Sequence, residues 1–191
     1  MIDILGAGLT LSSYDWGRNS YKWGLSQCRE LYNGDINLFF ALHKGQSSGL
    51  DNEIGLESYP LNEIIKWSGC NYFTNSVAYM IAYALYTGQK EINIFGVDMD
   101  HKTEYAYERP CIAYWIGYGR AIGAKIKISC GLSEPAFNYG YDIDKQKAMI
   151  EIFTIRKDSA KQKTKETQGR EKDQWIGAMV AYNKIIDFIR S

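Results

Sequence analysis

Short apolar runs ending in glycine or carboxylates alternate along this chain with stretches whose apolar residues recur every three or four positions. Ile2 to Leu5 is such a run, and it closes on Gly6-Ala7-Gly8 as a buried strand does when it turns sharply into a loop. Asp35 to Leu42 alternates at first and then becomes continuously apolar, which predicts a second strand. Between the two, Ser20 to Leu31 sets Trp23, Gln27 and Leu31 on one helical face, so a helix is expected, weakened by about 1 kcal/mol at Gly24. Gln46 to Tyr59 is polar and rich in Gly and Ser, a loop that leads past Pro60 into a short helix from Leu61 to Trp67.

The clearest helical period lies in Asn75 to Tyr86, through Val77, Met80, Ile81, Ala84 and Leu85, with Thr74 as the expected N-cap and Gly88 as the stop. Glu91 to Asp98 alternates and finishes in carboxylates, the pattern of a strand whose carboxyl end opens onto a site. Cys111 to Ile122 repeats the helical spacing, and Lys125 to Cys130 supplies another strand. This alternation predicts an α/β, Rossmann-like domain over 1–141, with a mostly parallel sheet and helices on both faces. From Asp142 onward charges are dense, and 142–191 reads as a C-terminal helical hairpin whose polar run from Arg156 to Lys172 is exposed, frayed or the tip. The stripe from Trp175 to Ile189 is expected to pack on the domain or to pair copies into a homo-oligomer.

Composition narrows the functions open to such a fold. With 191 residues, 46% of them hydrophobic, the chain can bury one proper core. Its formal net charge is zero, so it lacks the basic field that holds a nucleic-acid backbone. No run is long enough to cross a bilayer and the first residues carry no basic or cleavable segment, so a cytoplasmic protein with no membrane partner is expected. Cys28, Cys70, Cys111 and Cys130 form no C-x-x-C pair and read as core thiols of a reducing compartment. Fifteen tyrosines and five tryptophans can stack a base, although such residues more often supply core area with a polar tip.

Four constellations can carry chemistry. In Gly6-Ala7-Gly8-Leu9-Thr10, a glycine turn after the first strand lets backbone N–H groups approach a phosphate, to which the Thr10 hydroxyl can also donate; a tight bend explains the glycines equally well. Thr74, Asn75 and Ser76 gather at a helix N-terminus, where orphan N–H groups and the helix dipole favour an anion. Asp98 and Asp100 can point at one Mg2+ or Mn2+ ion, and Asp98 is the better placed. Beside them His101, like His43 after the second strand, is a candidate for acid–base work. Finally, Tyr105 and Tyr107 can donate to phosphate or stack on a base, Arg109 can pair with phosphate bidentately, and Glu108 can serve as base or orienter ahead of a helix that Pro110 opens.

Ile4 to Leu11, together with Asn75 to Met80 and Gly88 to Asp98, resembles a Rossmann-like superfamily that includes the MptE-like 6-hydroxymethylpterin diphosphokinases and bacterial sialyltransferases. The sialyltransferases carry a G-N-G-P-S first loop and a T-S-G-V-Y-M helix start. The chain also resembles small proteins of tailed bacteriophages and prophages in which a Y-A-Y-x-R-P stretch and a charged helical tail recur. By this resemblance Gly6, Ala7, Gly8, Asn75 and Ser76 hold a nucleotide's phosphate and sugar. Ala7 stands where that family has asparagine, Leu9-Thr10 replaces Pro-Ser, and no histidine follows His101. The expectation is a phage- or prophage-encoded, nucleotide-dependent transferase, for diphosphoryl or glycosyl transfer, acting on a nucleotide or nucleotide-sugar in a bacterial host. Two alternatives stand beside it: a protein of the same fold that binds or sequesters a nucleotide without turnover, and an assembly protein working through its C-terminal helices.

Overall fold

Strands β1 (Ile2–Leu5), β2 (Tyr21–Leu25), β3 (Leu38–Ala41), β4 (Glu53–Gly55), β5 (Glu91–Phe95) and β6 (Lys125–Ser129) pair in parallel in the order β4-β3-β2-β1-β5-β6. The computed structural model describes residues 1–99, 104–129 and 145–191. They fall into two units, Met1–Leu132 and Ser133–Ser191. The predicted domain boundary near Asp142 lies outside the described residues.

From β1 the chain steps outward to β4 and then returns through α1 (Leu61–Ser68) and α2 (Ser76–Tyr86) to place β5 on the other flank of β1. The step from β5 to β6 passes through one π-helical turn, Glu104–Glu108, and α3 (Arg109–Ala121). Because parallel crossovers are right-handed, the outward and return connections cover opposite faces. Ile2, Ile4, Trp23, Phe40, Ile92, Ile94 and Ile126 meet the apolar sides of α1, α2 and α3 on one face. Each such aliphatic side chain, fully buried, contributes about 2 kcal/mol. On the other face Leu5 packs with Leu11 of the 3-10 turn Leu9–Ser13, with Tyr14 just after that turn, and with Ile36 ahead of β3; a second 3-10 segment, Ser26–Leu31, follows β2.

Buried carboxylates secure these short connections. Asp3 is wholly buried and accepts from Tyr14 (2.8 Å), Arg18 Nε (2.8 Å), Ser20 (2.6 Å) and Asn93 (2.7 Å). Glu53 accepts from Ser26 (2.7 Å), Arg29 (2.7 Å), Ser47 (2.7 Å) and the Ser48 amide (2.8 Å), which joins the segments following β2 and β3 to β4. Fully paired carboxylates of this kind offset the cost of burying their charge and fix one geometry.

Several predicted elements move. The helix expected over Ser20 to Leu31 is a strand followed by a 3-10 segment. Its Trp23 and Leu25 face the core, and Gly24 is pressed against Tyr32, where a Cβ would lie 2.7 Å from the ring. The loop expected at Gln46 to Tyr59 contains β4, and the N-cap of α2 is Asn75, whose Oδ1 accepts from the Ala78 amide at 2.9 Å, rather than Thr74. The fold class stands as predicted, with α1, α2 and α3 on one face and the 3-10 turn Leu9–Ser13 on the other. In the second unit α4 (Lys145–Glu166) and α5 (Gly169–Arg190) form the expected hairpin, with Phe153 against Tyr182 and Ile186 buried. The polar run that spans the tip is helical on both sides of the turn at Thr167 and Gln168.

Candidate functional site

In an open parallel sheet a crevice forms where neighbouring strands send their connections to opposite faces, outside the carboxyl ends. Here that point lies between β1 and β5, so the loop after Leu5 and the loop after Phe95 are its two walls. The walls touch. The Gly6 amide donates to Phe95 O (2.8 Å), the Gly8 amide to Gly96 O (2.6 Å) and the Thr10 amide to Asp98 Oδ2 (3.0 Å), while the Thr10 hydroxyl donates to Asp98 Oδ1. A Cβ on Gly6 would stand 2.2 Å from Gly96 O, and one on Gly8 would stand 2.5 Å from Asp98 Oδ2. Close approach of the two loops is thus a sufficient reason for both glycines. The three amides are engaged inside the fold, so a phosphate arriving here must be met by other groups.

A second cluster forms at the start of α2. The Thr74 hydroxyl donates to Tyr107 O (3.0 Å) and Asn75 Nδ2 to Glu108 O (3.1 Å), which ties the N-terminus of α2 to the π-helical turn preceding α3. Helices in parallel crossovers run antiparallel to the strands, so the N-termini of α2 and α3 both lie at the carboxyl edge of the sheet. A π-helical turn is uncommon and often marks a functional position. Ser76, the first residue of α2, is buried with Oγ 3.2 Å from Nε2 of the exposed His43, which follows β3 by two residues.

The structure therefore joins Gly6, Gly8 and Thr10 to Asp98, and Thr74 and Asn75 to Tyr107 and Glu108. Ala7 is exposed and Leu9 half-buried in the same loop as Thr10, and Arg109 is half-buried at the first turn of α3. Tyr107 is 68% exposed, and Tyr105 belongs to the π-helical turn. Asp100 and His101 lie outside the described residues. Among the described residues no three His, Cys, Asp or Glu side chains cluster as a metal site would require. Asp98 has both oxygens on Thr10, and a single carboxylate so occupied does not fit an ion by itself. Of the cysteines, Cys70 and Cys111 are buried and Cys28 half-buried, with burial pushing the Cys28 thiol up, while Cys130 lies outside the described residues. Sequence reasoning offered His43 as an acid–base candidate from its place at the end of a strand, but did not bring it to Ser76, which is 33 residues away in sequence. No family model, curated protein or solved structure matches this chain.

Proposed function

We propose that the protein binds a nucleotide or nucleotide-sugar in the crevice between β1 and β5 and transfers a phosphoryl or glycosyl group from it. The observation that carries this reading is the switch point itself, which brings the glycine turn and Asp98 together at the carboxyl edge of a parallel sheet. Two helix N-termini tied through Thr74 and Asn75 favour anionic phosphates beside it, with Arg109 in the first turn of α3. In this reading Ser76 and Thr74 hold phosphate, Tyr107 stacks on the base or clamps the leaving group, and the glycine turn forms a wall. In this reading the reaction runs in a bacterial cytoplasm, in keeping with the resemblance to phage and prophage proteins, and copies pair through α5, where Phe188 is 80% exposed.

A second reading is favoured by one observation: the Asp98 carboxylate is held by Thr10 on both oxygens, which suits a scaffold that retains a nucleotide without turning it over. Thermal unfolding with ATP, CMP, CDP-sugars and cyclic nucleotides, with and without Mg2+, tests both. A ligand at about 100 times its Kd stabilises by about 2.7 kcal/mol, a clear rise in melting temperature. If none of these compounds raises it, both readings fall. Chromatography after overnight incubation with the best ligand then separates transfer from retention.

A further inference from the structure

Among the described residues the buried polar side chains are Asp3, Ser26, Ser76, Asn93 and Asp98. Asp3 and Asn93 bond to each other, Ser26 to Glu53, and Asp98 to Thr10, all within the scaffold. Ser76 differs, because the partner of its hydroxyl is the imidazole of the exposed His43. A hydroxyl fixed on a packed helix within hydrogen-bond reach of a solvent-exposed imidazole sets a nucleophile beside a base. The 3.2 Å between Oγ and Nε2 is at the outer edge of hydrogen-bond reach, as such pairs often are without substrate. Ser76 also opens α2, and the positive end of a helix dipole favours developing negative charge on a reacting group there.

We propose that Ser76 and His43 form a nucleophile–base pair that accepts a phosphoryl group from the bound nucleotide. The identity of the donor rests on the nucleotide reading above; the pair itself does not. Ser76 Oγ attacks phosphorus and passes its proton to His43 Nε2, and the bond from phosphorus to the leaving oxygen breaks as that oxygen takes the proton from the imidazolium. Water or an acceptor hydroxyl then attacks the phosphoserine, giving its proton to Nε2, and Oγ departs and recovers it. Every atom and proton is accounted for, and no oxidant or reductant enters.

Diisopropyl fluorophosphate, a tetrahedral phosphorus electrophile with fluoride as leaving group, probes this step on the intact chain at neutral pH. The expected result is one adduct, on the peptide that carries Ser76, and none in Ser76→Ala. His43→Gln preserves a hydrogen-bonding side chain without a base and should slow labelling by about 100-fold or more while the melting temperature stays the same. A nucleotide that raises the melting temperature should also slow the labelling. The proposal is overturned if folded protein forms no adduct at Ser76, or if His43→Gln labels as fast as the wild type. Should nucleotides raise the melting temperature without Ser76 being labelled, the pair is refuted and the nucleotide reading survives. Labelling at Ser76 that no nucleotide slows or accompanies with a thermal shift refutes the nucleotide as donor.

Discussion

Thr10 and Asp98, 88 residues apart, are joined by two hydrogen bonds, from the amide to Oδ2 at 3.0 Å and from the hydroxyl to Oδ1. This pair closes the loop after β1 against the loop after β5 at the switch point of the sheet. Asp98→Ala leaves two donors of Thr10 without their acceptor and should cost about 2 kcal/mol in urea unfolding. Thr10→Val removes only the hydroxyl contact and should cost less. Equal stability of Asp98→Ala and the wild type would show that the pair contributes nothing.

Gly6→Ala and Gly8→Ala should rank by what the new methyl group meets. At Gly6 the obstacle is the Gly96 carbonyl at 2.2 Å, which is backbone; at Gly8 the closest atom is Asp98 Oδ2 at 2.5 Å, a side-chain end that can swing away. Gly6→Ala is expected to cost about 3 kcal/mol and Gly8→Ala less, with the latter also releasing Asp98 from Thr10. Gly117→Ala, on α3 with nothing within 4 Å of the added carbon, should stabilise by about 0.5–1 kcal/mol. Chemical denaturation of the three variants gives the order, and a Gly6 variant as stable as the wild type contradicts the close approach.

Acid should unfold this protein partly through two carboxylates. Burial pushes the Asp3 carboxyl up, but hydrogen bonds from Arg18, Ser20, Asn93 and Tyr14 outweigh burial and leave it below the ordinary range. Burial likewise raises Glu53, and hydrogen bonds from Ser26, Ser47 and Ser48 bring it down to about 2. A carboxyl depressed in the folded state stabilises above its unfolded range, and that stability is lost as pH falls through the folded value. Unfolding free energy should therefore drop from about pH 4.5 toward about pH 2. Glu53→Gln should flatten this limb and lower stability at neutral pH. Asp3→Asn, which turns one of the oxygens that accept from Tyr14, Ser20 and Asn93 into a donor, should cost about 2 kcal/mol at pH 7. A limb of unchanged slope in Glu53→Gln would place the acid sensitivity elsewhere.

The sequence by itself determined the alternation of strand and helix, the long buried helix from Ser76 to Tyr86, the strand that ends beside Asp98 and the helical hairpin, because each has enough residues for its period to stand out. Tertiary structure decided β2 and β4. Five residues from Tyr21 to Leu25 fit either period, and pairing with β1 and β3 settles them as a strand; the three residues of β4 are too few to show any period. The same holds at the candidate site. Glycine, threonine and aspartate announce a turn and a carboxylate, but only the packed loops show that the amides of Gly6, Gly8 and Thr10 turn toward β5. Ser76 and His43 meet because strand order and helix docking, both set by long-range burial, bring the end of β3 to the start of α2.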